Sequence, residues 1–447
     1  MALPPATEAA DVPGSAEAQP EGAETRTHRS HSRVPASLML NWRMFLVFLS
    51  MVLIIMGGVH GYLYWRLVLE TAIPSPWSTA LGWLFVAALA GIPLSFVLSR
   101  ALDKCLARLF VVPVYVWLGL VFQAFYLVLA LDVVRGLAWV VVRVTGALGA
   151  EPLLSAELLF DDPARSLEVW RVAAGSAAAA SLALTVAGIV WALRRPVVKR
   201  LAITLPQLPA ALDGFSILQL SDLHLDLVQG RRWLEAVVDR AKSLAPDLVA
   251  ITGDLAEGSV AKYGHDVEPL RRLTAPHGVF FVTGNHEYFH DLDGWLRLLD
   301  GFGVKVLRNE RVRIEGNGAS FDLAGVDDHD GARIAPGHGA DLAKALDGRD
   351  PGKAVVLLAH QPRIAEEAAR QGVGLVLSGH THGGQIWPFS YLVYLQQPYV
   401  RGLKRLGGTQ VYVSSGTGFW GPPMRLGTTA EMTLVTLRSP EGVSRSL

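Results

Sequence analysis

Four apolar runs fill much of the first 193 residues, and they narrow the choice of folds more than any other feature. MFLVFLSMVLIIMGGVHGYLYW begins at Met44, WSTALGWLFVAALAGIPLSFVL at Trp77, LFVVPVYVWLGLVFQAFYLVLAL at Leu109, and VWRVAAGSAAAASLALTVAGIVWAL at Val169. A helix needs about 20 apolar residues to cross a bilayer, and each run reaches that length. Four in succession are hard to bury without lipid, so a bundle of soluble helices is the weaker reading. Trp65, Trp77, Trp170 and Trp191 fall near the expected ends, where aromatic belts form. The predicted crossings are 44–65, 77–98, 109–131 and 169–193, within a helical region 37–200. After Leu131 the chain reads DVVRGLAWVVVRVTGALG, with Asp132, Arg135 and Arg143. This stretch continues the third helix or lies at the interface, and a fifth crossing is the alternative.

Basic residues set the orientation. They cluster at Arg26, Arg29, Arg33 and Arg43, at Arg100, Lys104 and Arg108, and in RRPVVKR from Arg194. Four crossings with both ends in the cytoplasm place all three clusters on one side. The longest intervening loop carries Glu151, Glu157, Asp161 and Asp162 instead. Residues 1–36 are rich in Ala, Pro, Glu, Ser and Thr, which predicts a disordered tail, and no signal-peptide pattern opens the chain.

Past residue 200 the pattern changes to short apolar runs: FSILQL, DLVAIT, VFFVT, AVVLLA and VGLVLS. These are strands of the buried kind, and RRWLEAVVDRAKSLA between the first two has helical spacing. Alternating strands and helices predict an α/β domain over 201–447 with parallel pairing. Strands near 411–414 and 432–437 come without helices between them and suggest a second, more antiparallel sheet. Apolar residues make up 51% of the chain and charged residues 18%, with mean hydropathy +0.32, against about 25% charged in a typical soluble domain. A mixed chain, part membrane and part globular, fits that balance. Net charge is zero, so nothing points to nucleic acid. The lone Cys105 has no intramolecular disulfide partner and reads as inert between helices.

Each strand runs into a polar cluster of metal-ligand type. Asp222 and His224 follow the first, Asp254 the second, Asn285 and His286 the third, His360 the fourth, and His380 and His382 the fifth. In open α/β sheets ligands sit beyond the carboxyl ends of the strands, so the five clusters are expected to converge. His380 and His382, on alternate positions, are expected to project together from one mouth. Carboxylates with imidazoles and no thiolate suit Mn²⁺, Fe²⁺ or Zn²⁺. Seven candidate ligands exceed one ion's needs and imply two, the arrangement that stabilises both oxygens of a phosphoryl displacement.

The ordered set Asp222-Leu223-His224, Gly253-Asp254, Gly284-Asn285-His286-Glu287, His360 and Gly379-His380-Thr381-His382 resembles the calcineurin-like metallophosphoesterases over residues 215–437. THGGQ, LRNERVRI, LAGVDD and SSGTGFWGPPMRLG look closer to the bacterial membrane-associated branch that includes the YaeI and YkuE proteins. TTAEM departs from that branch, which often has a proline before Glu431. The resemblance implies a four-layer α/β/β/α sandwich and hydrolysis of a phosphate ester or diester by a metal-bound hydroxide. It implies one ion on Asp222, His224 and His382, a second on Asn285, His360 and His380, and Asp254 bridging them. It gives His286 the phosphate or the leaving oxygen, and Glu287 an orienting part. Arg425 is a candidate phosphate contact, with a structural ion pair as its other reading. His265, His277, His290, His329 and His338 are expected to be exposed, and Asp226, Asp327 and Asp328 to be solvated or supporting.

The expected setting is a bacterial cytoplasmic membrane, with the catalytic domain facing the cytoplasm. The segment 386–399 holds no charge and many large apolar side chains. It is either buried under a sheet or an exposed patch beside the site, and in the second case the substrate is lipid-linked. Pyrophosphate hydrolysis on a nucleotide-linked lipid precursor, and a non-catalytic metal scaffold serving a membrane domain, are the rival functions.

Overall fold

The computed structural model describes residues 36–148 and 162–440. The expected tail as far as Pro35 and the acidic residues Glu151, Glu157 and Asp161 lie outside them, while Ala36, placed in the tail, opens the first helix. Helices α1 (Ala36–Tyr64), α2 (Trp77–Ala101), α3 (Lys104–Ala147) and α4 (Pro163–Ala192) follow the four apolar runs. α1 continues into a π-helical turn, Trp65–Leu69. All four helical stretches are long and apolar enough to cross a membrane. Asp103 caps α3 by accepting from the backbone N–H groups of Cys105 and Leu106. Asp162 does the same for α4, with Pro163 at its first position, where the missing N–H costs nothing.

α3 does not stop at residue 131. Its 44 residues span about 66 Å at 1.5 Å per residue, twice the hydrocarbon thickness of about 30 Å. The stretch after Leu131 is therefore a continuation of the helix. Asp132 and Arg135, at its start, are both paired. The Arg66 side chain is buried and pairs with Asp132 and Glu70, Nε lying 2.9 Å from Asp132 Oδ2. Arg135 bonds Glu70 at 3.2 Å, and the Tyr62 hydroxyl donates to Asp132 at 2.6 Å. Trp170 was expected in an aromatic belt. Instead it is buried, donates to the Arg66 carbonyl, and has the Arg66 guanidinium 3.8 Å above its ring. Trp65, Trp77 and Trp191 are exposed as a belt requires.

The remaining chain forms two six-stranded sheets. In chain order the strands are β1 (Val197–Thr204), β2 (Ser216–Leu220), β3 (Leu248–Thr252), β4 (Val279–Val282), β5 (Lys305–Val306), β6 (Glu310–Gly316), β7 (Ala319–Gly325), β8 (Val355–Leu358), β9 (Leu375–Ser378), β10 (Gly402–Leu406), β11 (Thr409–Val413) and β12 (Glu431–Arg438). The first sheet runs β1-β12-β2-β3-β4-β5 and the second β10-β11-β9-β8-β7-β6. β1 begins at Val197, so the second half of RRPVVKR is an edge strand, where lysine and arginine discourage further pairing. The run near 432–437 does not join the second sheet. As β12 it lies in the first, parallel to β1 and antiparallel to β2. The second sheet keeps a parallel centre, β11-β9-β8-β7, and its antiparallel pairs are the edge hairpins.

Side-chain alternation makes the layers. Leu248 and Ala250 of β3 face the core between the sheets, with Leu323, Leu358 and Leu377. Val249 and Ile251 face the other way, onto α5 (Arg231–Ser243) through Leu234, Val237 and Val238. Outside the second sheet, short helices cover Val355, Leu357 and Val376. The result is the expected four-layer α/β/β/α sandwich, and β2, β3, β4, β8 and β9 point their carboxyl ends at one region.

Candidate metal centre

The ligand-type residues leave the strands through sharp turns. Asp222, His224, Asp254, His380 and His382 all have positive φ, between 42° and 71°, a region that ordinary side chains rarely adopt. Gly253 sits at φ 84°, and a Cβ there would lie 2.6 Å from His360 Nδ1 and 2.7 Å from the Gly284 backbone nitrogen. The GD turn thus brings two ligand loops into contact. His380 and His382 are not on a strand, since β9 ends at Ser378 and a 3₁₀ turn starts at His382. They line one site but go to different partners.

In one cluster, His382 Nε2 lies 3.0 Å from His224 Nε2 and 3.5 Å from Asp222 Oδ1. In the other, His380 Nδ1 lies 3.2 Å from His360 Nε2 and 3.1 Å from Asn285 Oδ1. Asp254 Oδ2 stands between, 3.5 Å from His224 Nε2 and 3.1 Å from His360 Nε2. All seven residues predicted as ligands are therefore brought together. Their ring nitrogens and oxygens converge within 3.0–3.5 Å of one another, an arrangement that a cation in each cluster would hold. The donor chemistry fits two divalent ions.

The outer contacts fix which ring nitrogen faces inward, a usual feature of imidazole ligands. His360 Nδ1 is 2.7 Å from the Thr252 carbonyl, leaving Nε2 for the site. His224 Nδ1 is 2.5 Å from Glu257 Oε1, with the same consequence. Asp222 is held by the Ser221 hydroxyl at 2.5 Å and the His380 backbone N–H at 2.9 Å. Burial alone would raise the Asp254 carboxyl, but His360, His286 and His224 hold it well below the usual range. Burial, with His360 beside it, pushes His380 down to about 3. An ionised bridging carboxylate and a neutral imidazole are the states that bind metal.

His286 is buried at the edge of the shared carboxylate, Nε2 3.9 Å from Asp254 Oδ2 and Nδ1 2.8 Å from Glu257 Oε1. Burial opposes its protonation, but Glu257 and Asp254 outweigh that and raise it to about 10. Glu287 is fully buried and accepts from the backbone N–H groups of Gly284, Asp254 and Leu255, so it ties two ligand loops together.

Glu257 is the residue that sequence reasoning missed. One carboxylate oxygen meets both His224 and His286, and His290 lies 3.9 Å from the other. Its one signal is its place in GDLAEG, three residues after Asp254.

Arg425 is brought to the site but not to its open side. It is completely buried and donates to the carbonyls of Ser415 and Gly418 from behind His382. Asp226, Asp327 and Asp328 are buried, not solvated. Asp226 caps a turn through the Val228 and Gln229 N–H groups, Asp327 pairs with Arg308 at 2.8 Å, and Asp328 accepts from Gln361. Of the other histidines, His265 and His329 are exposed, whereas His277, His290 and His338 are half-buried.

The fold and the paired ligand clusters define a dinuclear metal-site protein of the α/β/β/α class. Residues 215–384 match the family model described as calcineurin-like phosphoesterase. An uncharacterized metallophosphoesterase of Campylobacter jejuni is 30% identical over 399 residues, covering 88% of this chain and 99% of that one. The chain belongs to the calcineurin-like metallophosphoesterase family, whose members use a divalent metal pair. Proteins named transmembrane protein with metallophosphoesterase domain, from Danio rerio and Bos taurus, are 39% and 41% identical. Each match covers 57% of this chain and 60% of the relative, so the chain spans less than two thirds of those relatives.

Proposed function

We propose that the chain is a membrane-anchored, metal-dependent phosphoesterase whose substrate is lipid-linked. In this reading residues 37–200 form the membrane domain and 201–447 the catalytic domain, which faces the cytoplasm. Asp222, His224 and His382 would hold one ion, Asn285, His360 and His380 the other, and Asp254 would be shared. When bound there, the ions would supply Lewis-acid charge and activate water. His286 directs Nε2 at the phosphate and delivers a proton to the leaving oxygen, while Glu257 holds its Nδ1. Arg425 supports His382 and does not contact substrate.

One observation carries the lipid reading. The segment after His382 is exposed, not buried beneath a sheet: Trp387, Phe389, Tyr391, Leu392, Tyr394 and Leu395 all present their side chains to the outside. The patch adjoins the membrane helices, since Phe389 meets the Phe122 ring of α3 and Gln123 donates to the Trp387 carbonyl at 3.3 Å. Exposed Trp420 and Phe289 flank His286 at ring distances of 6.1 and 5.5 Å. An apolar patch of this kind marks a contact with lipid or ligand. Changing Trp387 and Tyr394 to Ser tests it. Hydrolysis of a phospholipid or lipid pyrophosphate in micelles should fall far more than that of a small soluble phosphodiester. Equal losses on both would remove the lipid assignment.

A further inference from the structure

The segment 416–427, SSGTGFWGPPMRLG in its wider context, links the metal site to the membrane helices. At one end it is woven into the ligand loops. The Thr417 N–H donates to the Ser221 carbonyl at 2.7 Å and the Gly418 N–H to the Asp222 carbonyl at 2.9 Å. A Cβ on Gly416 would lie 3.0 Å from His382 Nδ1. At the other end the segment enters a notch between α3 and α4. Met424 is wholly buried there, against Gly119 of α3 and Gly188 of α4. A Cβ on Gly119 would overlap the Met424 thioether, and one on Gly188 would lie 3.2 Å from Met424 Cβ and 3.3 Å from Leu426 Cγ. The Arg425 backbone N–H donates to the Gly188 carbonyl at 3.0 Å.

The same short stretch touches both sides of the metal centre. The Arg425 guanidinium, next to the plug, braces the backbone of residues 415–418 and stands 3.5 Å from His382 Nδ1. Gln385, three residues after His382, accepts from the Trp420 N–H at 3.0 Å and donates to the Trp420 and Pro422 carbonyls. Trp420 in turn faces His286. A second contact keeps the helices in place on the domain. Lys104 at the start of α3 pairs with Asp266, and Lys262 donates to the carbonyls of Ser99 and Leu102.

We infer that Met424, seated in the Gly119–Gly188 notch, is a positioning residue for the metal centre, so that the membrane helices form part of the catalytic apparatus. Gly119 and Gly188 are small because the plug needs the space, and the plug fixes Arg425 behind His382 and Trp420 over His286. A domain released from its helices would lose this support. The inference rests on the phosphoesterase reading for its kinetic arm only.

The test is a compensating pair in the full-length protein in detergent, with Mn²⁺ binding and hydrolysis of a small soluble phosphodiester as readouts. Gly119→Leu fills the notch and Met424→Ala empties it. Each alone should weaken one of the two Mn²⁺ sites, the one containing His382, by about tenfold or more, the scale of lost outer-shell support. Each should also lower kcat while leaving KM for the soluble ester near its wild-type value. Combined, leucine occupies the space that methionine left, and both properties should return toward wild type. Wild-type Mn²⁺ binding in both single variants, or a folded double variant no better than the worse single, overturns the inference. If Gly119→Leu does not fold, Met424→Ala alone decides it, unchanged Mn²⁺ binding being the refuting result. A wild-type protein that binds two Mn²⁺ ions but hydrolyses no phosphoester refutes the activity reading and leaves the binding arm intact.

Discussion

Replacing Glu257 by Gln separates two jobs that one carboxylate oxygen performs. Glu257 Oε1 is 2.5 Å from His224 Nδ1 and 2.8 Å from His286 Nδ1. Toward His224 it orients a ring assigned to hold metal, support whose loss typically costs about 10–100-fold in metal affinity. Toward His286 it favours the charged imidazole, raised to about 10 against the opposing effect of burial, so that the ring holds a proton at neutral pH. General acid–base catalysis is typically worth about 10²–10⁴ in rate. A glutamine keeps the size and one acceptor but not the charge, so part of each contribution should survive. The expected result is a Mn²⁺ requirement raised by about tenfold and, at saturating Mn²⁺, a kcat still lower by about 10². Steady-state rates on a soluble phosphodiester across a Mn²⁺ titration read the two effects separately. Residues that act as a unit are not additive, so His286→Asn/Glu257→Gln should be little slower than His286→Asn at saturating metal. A wild-type kcat for Glu257→Gln at saturating Mn²⁺, or full additivity in the double variant, would refute the shared role.

Asp254→Asn removes the charge that both clusters share, so Mn²⁺ binding at both sites and hydrolysis should fall together by orders of magnitude, about 10² or more; loss at one site alone, read by Mn²⁺ titration, contradicts a bridging ligand. A reporter fused after Leu447 should behave as cytoplasmic and one inserted near Ala156 as external, and an exported C-terminal reporter would show an odd number of crossings. Asp132→Ala strips one carboxylate from the buried Arg66. Glu70 still pairs with Arg66, so the loss should fall below the about 3–5 kcal/mol of a fully broken buried pair, yet the thermal midpoint in detergent should drop below that of Asp162→Ala, whose carboxylate is more exposed and serves as a helix cap; equal midpoints would show that the Asp132 pairing does not stabilise the helices.

The layers of the fold were legible because buried strands announce themselves. LVAIT in β3 is buried at every position, and such a run between polar turns reads as the centre of a sheet. Which sheet a strand joins is set by long-range register, which no local pattern carries. The run 432–437 looks like a neighbour of 411–414, but β12 crosses to the other sheet, where its residues pair with both β1 and β2. Past Leu131 the sequence left a continued helix and an interfacial one both open, because Asp132 and Arg135 can mark the edge of an apolar run or be paired. The structure continues α3 to Ala147, and the partner of Asp132 is Arg66, more than sixty residues away, which no local pattern carries.

The ligand set was legible for a reason that the local geometry does not share. Alternation on a strand suggested that His380 and His382 point the same way, yet both residues are in left-handed turns beyond the strand and serve different clusters. What carried the reading was convergence of five strand ends, and that survives any detail of the turns. Left-handed conformations at non-glycine residues cost about 1–3 kcal/mol each and persist where surrounding contacts over-determine them. Here those contacts are the outer ones: Glu287 across two loops, Ser221 on Asp222, and the 416–427 segment bonded to the carbonyls of Ser221 and Asp222. The same segment reaches Gly188 of α4. The contacts that hold these left-handed turns are thus partly made by a segment that is itself bonded to α4, which is the link the Met424 variants test.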